Sequence, residues 1–257
     1  MKFRYAWLIC TILFASPSRG QEDAVYVPAH HLTYDVLYEY PRLAPAVVSY
    51  ILDGSDFRGT QLSKPKHFKM DYRLPPPRVK NNAYTFSGYQ RGHLCPSGDR
   101  DSRKDWYKDT YYTSNIVPMT AVANAGGWKE TETFCRLMAS KGHRLKIACG
   151  PVWYHWPGIS NTCSSENSIA AGKFTAVGNT IGVAAVPPAM WKVAKCLLHD
   201  AEVYSWIVTN DNKYRPESAC RVLPDSVGRL LAPKVKEYVS VHGGGHVQQD
   251  HLRCAPD

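Results

Sequence analysis

Between Ser87 and Arg100 the chain reads SGYQRGHLCPSGDR, a short stretch that gathers three glycines, two arginines, one histidine and one aspartate. Arg91, Gly92 and His93 in succession suit phosphodiester cleavage. Glycine lets the backbone turn sharply, arginine gives a charged donor to phosphate oxygens, and a neutral imidazole can take a proton from water near pH 7. Such cleavage also asks for a metal ion against the charge that builds on the phosphate and the leaving oxygen. Residues able to serve it follow at fixed intervals. Asn115 has Pro118 three positions on, Asn124 stands nine after Asn115, and Glu132 stands eight after Asn124.

Together, QRGHLCPSGDR, SNIVPMT and NAGGWKETE resemble the DNA/RNA non-specific endonuclease family of ββα-metal nucleases, whose motif runs Asp-Arg-Gly-His, Asn-x-x-Pro, Asn and Glu at these spacings. The resemblance implies roles residue by residue. His93 would be the general base that activates water, and Asn124 the single direct protein ligand of Mg2+, for which Mn2+ or another divalent ion could substitute. Glu132 would hold that ion's waters from two turns along the same helix, Asn115 would arrange the phosphate or base, and Arg91 would stabilise the pentacovalent phosphate. Magnesium sheds its waters reluctantly, so one amide oxygen and a carboxylate behind water is a coherent site for it. The implied substrates are DNA and RNA, cut to 5′-phosphate and 3′-hydroxyl ends, and a homodimer is left open.

Two positions depart from the pattern. Gln90 stands where the family carries Asp, which keeps hydrogen-bonding capacity and removes a negative charge. Upstream, KPKHFKMDYR places Lys66 near the family's phosphate-binding arginine, with Arg73 further on. Lysine acts there as a point charge where arginine would form a fork, so Lys66 joins Arg91 as a substrate-binding candidate.

The elements that must carry these residues read as one α+β domain, a central antiparallel sheet with packed helices and the ββα-metal motif. AVVSYIL (46–52) and AYTFSGY (83–89) suit strands on either side of a proline-rich loop at 73–82. DSRKDWYKDTYY suits a short helix and SNIVPMT an extended piece ended by Pro118. An amphipathic helix is expected from near Asn124 to Ser140 and stopped by Gly142, with Trp128, Phe134 and Leu137 in the core. RLKIACGPVW, TIGVAAV, MWKVAKCLL and EVYSWIVT suit further strands, with a late helix at 225–239. Plainer readings exist for each site residue: Asn124 as a helix cap, Glu132 on a solvated face, Arg91 in a surface ion pair. Asp99, Arg100 and Asp101 read as a turn leading into a helix.

The first twenty residues have the layout of a cleaved export signal: Lys2 and Arg4, an apolar run from Tyr5 to Ala15, then small residues up to Gly20. The nuclease domain would span 21–241, with a flexible tail over 242–257. A secreted or periplasmic location follows, with no membrane partner. The net charge of +9 falls on removal of Lys2, Arg4 and Arg19 yet stays positive, which favours acidic partners. Seven cysteines beyond Cys10 argue for disulfides in an exported chain, with one thiol left over. His242, His246, His251 and Cys254 could bind a metal, although their glycine-rich setting reads as tail. Two other classes remain: a weakened or inactive nucleic-acid-binding relative, and an exported disulfide-rich polyanion-binding protein. A phosphodiesterase or phosphatase for small esters is a third.

Overall fold

A computed structural model describes residues 25–40, 42–59, 62–153, 175–177, 184–198, 203–212, 219–221 and 233–242. The strands in chain order are β1 (Val25–His30), β2 (Asp35–Tyr40), β3 (Ala44–Leu52), β4 (Gln90–His93), β5 (Ile116–Met119) and β6 (Leu145–Val152). They continue with β7 (Thr175–Val177), β8 (Ala184–Val186), β9 (Ala189–Cys196), β10 (Val203–Thr209) and β11 (Ala219–Arg221). The helices are α1 (Lys104–Asp109), α2 (Ala121–Ala125), α3 (Gly127–Ser140) and α4 (Pro233–His242).

Seven strands form one antiparallel sheet in the order β1-β2-β3-β6-β9-β10-β11. Its central strands are buried on both faces. Val48, Tyr50 and Leu52 of β3, Ile147 and Cys149 of β6 and Met190 and Ala194 of β9 join one apolar core with Trp128, Cys135 and Ala139 of α3. Val47, Ala148, Trp191 and Ile207 face the other way, against Val235 and Tyr238 of α4. Successive side chains of a strand point to opposite faces, so one sheet supports two layers. The layer holding α3 also holds a separate pair, β4 with β5, in the register Gln90↔Met119, Arg91↔Pro118, Gly92↔Val117 and His93↔Ile116. The sequence β4, β5, α2/α3 is the expected ββα unit.

Several expectations are corrected. Residues 83–89 are not a strand: a short 3-10 helix covers Asn81–Tyr84, and a turn follows. The single helix from Asn124 is two, because the chain breaks at Gly126 between α2 and α3. Asn124 does not cap a helix; the Thr120 side chain accepts from the Ala123 amide and takes that role. Pro118 does not end the extended piece, since β5 continues to Met119. Leu137 is exposed rather than core, whereas Trp128 is fully buried and Phe134 packs partly buried against the core. The β1–β2 hairpin had no counterpart in the sequence reading. Gly142 does terminate α3, with a φ of +91°.

Cys95, Cys135, Cys149 and Cys196 are buried free thiols, so the disulfide expectation fails for these four. The side chains of Cys163, Cys220 and Cys254 lie outside the described residues, as do the leader over 1–20 and His246 and His251.

Candidate active site

His93 ends β4 with its ring against Tyr111, edge-on at 4.9 Å between centroids, and against Phe68 at 5.3 Å. Its Nε2 is buried and has no hydrogen-bond partner among the described residues. Burial first, and the Lys64 charge second, press its pKa down to about 4. Removal from water disfavours the imidazolium, so the ring is neutral at pH 7 and its nitrogen can accept a proton. Trp128, the second residue of α3, donates its indole N–H to the His93 carbonyl at 2.8 Å and ties strand to helix. A Cβ at Gly92 beside it would displace the buried Met119 side chain on the facing strand.

At the other end of β4, the Gln90 Oε1 accepts a hydrogen bond from Asn124 Nδ2 at 2.7 Å. This fixes which end of the Asn124 amide is occupied and leaves Oδ1 as the end free to meet a cation. The turn that carries α2 is itself clamped. Asn210 accepts from the Thr120 amide and donates to the Pro118 carbonyl, each at 2.8 Å, and Thr120 Oγ1 donates to the Asp211 carbonyl at 2.7 Å. Sequence spacing gave no sign of Asn210, a loop residue far along the chain.

Glu132 sits on α3, one helix beyond Asn124 rather than on the same one. Its side chain is only 16% exposed. Burial pushes its pKa up to about 7, opposed most strongly by the charge of Lys192. Lys192 is fully buried in β9, with Nζ 4.1 Å from the Trp128 ring centroid and no hydrogen-bond partner among the described residues. Arg136 approaches Glu132 at 3.9 Å and donates to Asp99 at 2.7 Å.

Among the described residues Arg91 makes no ion pair. It donates to the Asn81 carbonyl at 2.8 Å, and its guanidinium lies 5.2 Å from the Tyr84 ring and 5.6 Å from Phe68. Asn115 is fully buried. Its Oδ1 accepts from the Cys95 amide and its Nδ2 donates to the Cys95 and Thr110 carbonyls, so its amide is spent on backbone. That geometry makes it a clamp on the chain leaving His93, in place of the phosphate or base contact the motif implied. Lys66 is exposed and the structure places it in no contact with the site; Lys64, two residues earlier, is the one whose charge reaches His93. The Asp99–Arg100–Asp101 stretch does turn into α1 as expected, and it is buried. Asp99 also accepts from the Tyr50 hydroxyl, and Arg100 pairs with Asp56 at 3.0 Å and donates to the Ile51 carbonyl at 2.6 Å, pinning the loop after His93 to the sheet.

No group of three or more His, Cys, Asp or Glu is arranged to hold a metal ion among the described residues. An amide oxygen and one carboxylate suit a hard cation that keeps its waters, where zinc would call for more direct ligands.

A sequence model of the DNA/RNA non-specific endonuclease family matches residues 14–238. The chain belongs to this family. Among curated members of similar sequence, "Nuclease EXOG, mitochondrial" of Danio rerio is 33% identical over 140 residues, 54% of this chain and 39% of its own length. Its Homo sapiens counterpart is 31% identical over 140 residues, 54% of this chain and 37% of its own. A "Nuclease" of Nostoc sp. is 37% identical over 87 residues, 33% of this chain and 32% of its own. The matched stretch therefore spans about two fifths or less of these relatives. A crystal structure of the EndoG/EndoGI complex shares the fold, with a TM-score of 0.65 and 22% identity over 79% of this chain and 83% of that one. Family membership and the shared fold are what these likenesses establish for the chain.

Proposed function

We propose that the chain is an exported, magnesium-dependent endonuclease that hydrolyses DNA and RNA to 5′-phosphate and 3′-hydroxyl ends. The observation that carries the reading is the pairing along β4 of a neutral His93, its Nε2 unpartnered among the described residues, with Gln90 holding the amide of Asn124. Asn124 Oδ1 would hold the ion directly and Glu132 would hold its water. When bound, the ion supplies positive charge to the phosphate and to the departing 3′ oxygen.

The neutral His93 imidazole takes a proton from a water whose oxygen attacks phosphorus opposite the 3′ oxygen. The new P–O bond forms as the P–O3′ bond breaks, and the 3′ oxygen picks up a proton from solvent. Arg91, steadied by Asn81, Tyr84 and Phe68, donates to the non-bridging oxygens. Contacts to phosphate carry little sequence information, which accords with broad substrate use. Export is supported by the charged start and apolar run of the first twenty residues. Among the described residues no helix is long and apolar enough to cross a membrane.

The test is digestion of supercoiled plasmid and of a long RNA, with magnesium and with chelator, by the protein and by its His93→Ala and Asn124→Ala variants. Cleavage that needs the metal and is lost in both variants supports the reading. Binding without cleavage under any divalent metal would replace it with a nucleic-acid-binding relative.

A further inference from the structure

The turn that leads into β4 presents Phe86 fully to solvent, with a backbone φ of +58°. A single exposed apolar side chain is common on protein surfaces, but this one is also strained. Together exposure and strain are costly. A bulky aromatic in the left-handed region is a steric outlier where Gly or Asn would fit, and sites that keep such strain tend to be functional. The strain is held in place by its neighbours. Ser87 Oγ donates to the Tyr84 carbonyl at 2.8 Å and accepts from the Tyr89 amide at 3.2 Å, and the Thr85 amide bonds the Asn82 carbonyl at 3.0 Å.

The surroundings point to one kind of occupant. Tyr84, two residues before Phe86, carries the Arg91 guanidinium on its ring at 5.2 Å, and Phe68 joins Arg91 to His93. Lys80, just before the short helix that ends at Tyr84, is exposed. Tyr72, another exposed aromatic, already has Arg78 over its ring at 5.3 Å; Phe86 has no cation or ring contact among the described residues. An unpaired aromatic face on the turn whose Tyr84 carries the guanidinium proposed to meet phosphate suits a nucleobase, because every base has a π-face to stack while its phosphate meets the cation. We propose that Phe86 is a stacking platform for a nucleobase of the strand whose phosphate Arg91 receives.

This rests on the nuclease reading and adds a residue that grips the base rather than the phosphate. The test uses the whole protein and its Phe86→Gly and Phe86→Trp variants. Substrates are a single-stranded DNA of about a dozen nucleotides and bis(p-nitrophenyl) phosphate, a diester without a base. Phe86→Gly is expected to raise KM for the oligonucleotide about 10-fold with kcat little changed. The ratio of kcat/KM between oligonucleotide and small diester falls by the same factor. Glycine relieves the positive φ, so the melting temperature rises and loss of folding cannot explain the effect. The Phe86→Trp variant keeps the wild-type KM, and its added fluorescence is quenched by the oligonucleotide. An unchanged KM in Phe86→Gly with no quenching in Phe86→Trp overturns the proposal while leaving the nuclease intact. If the wild type cleaves neither substrate, the nuclease reading fails, and quenching by uncut oligonucleotide still decides whether position 86 stacks a base.

Discussion

Gln90 and Asn124 form a 2.7 Å hydrogen bond in which the amide of one orients the amide of the other. Gln90 replaces the acid of the family motif, yet its oxygen still does the orienting that an acceptor at this place can do. What is lost is a negative charge beside the proposed cation site. Gln90→Leu removes the acceptor and lets the Asn124 amide turn, and partners of this kind typically matter about 10- to 100-fold in metal affinity. The magnesium concentration for half-maximal activity should rise by about that range. Gln90→Glu keeps the reach and restores charge, so half-saturation should fall; an unchanged value in both variants would remove Gln90 from the metal site.

His93→Ala should lower kcat by about 100-fold or more, the usual scale for losing a general base. Trp128→Phe is the finer experiment. It keeps the ring in the core and deletes only the N–H that holds the His93 carbonyl at 2.8 Å. A several-fold drop in kcat with KM preserved is expected, and a wild-type kcat would show that β4 positions His93 without help from α3.

Asn115 was readable in the sequence as a motif residue but not as a buried clamp, because an asparagine in a motif looks the same whether its amide faces substrate or backbone. Asn115→Ala leaves the Cys95 amide and the Cys95 and Thr110 carbonyls without their partner. Buried groups left unsatisfied cost about 1–3 kcal/mol each, partly recovered by relaxation, so about 2–4 kcal/mol of destabilisation is expected in urea titration. Full stability with impaired substrate binding would restore the direct contact.

Other parts of the fold were legible or hidden for similar physical reasons. The β-branched segments announced β3, β6, β9 and β10, because strands buried on a sheet need apolar side chains, whereas the Arg-Gly-His run looked like a tight turn and is strand β4. The hairpin of β1 and β2 was hidden by Pro28 and two histidines; β1 is an edge strand, where a missing N–H is tolerated. AYTFSGY looked like a strand by composition, but Phe86 and Gly88 both take positive φ and turn the chain instead. The split between α2 and α3 depends on Gly126 and on the Thr120 cap, which the hydrophobic period does not encode. Lys192 shares parity with Met190, Ala194 and Cys196 along β9, the one signal by which its burial could have been foreseen.

The pH dependence should be set by Glu132 rather than by the base. His93, with a pKa near 4, stays neutral across the working range. Glu132, near 7 in the metal-free protein, must be ionised to hold a cation's water. Activity should therefore fall as pH drops through about 7 at low magnesium. Because the cation favours the carboxylate, the acid limb should move to lower pH as magnesium rises. A limb that ignores magnesium, or that persists in Glu132→Gln, would assign it to another group.

Lys192 supplies an independent check on that assignment. Its charge is the largest influence holding the Glu132 pKa down, yet it touches no position where substrate could lie, being fully buried behind α3. Lys192→Met keeps the chain length and the packing on Trp128 while removing the charge. The Glu132 pKa should then rise, so the acid limb should move to higher pH at fixed magnesium. Because Lys192 is buried with no hydrogen-bond partner among the described residues, which is costly, the same variant should unfold at a higher temperature. The two effects have opposite consequences, greater stability with a narrower range of active pH. A Lys192→Met protein that is more stable but keeps the wild-type acid limb would show that the lysine acts on packing alone, and that Glu132 is held ionised by the cation and Arg136.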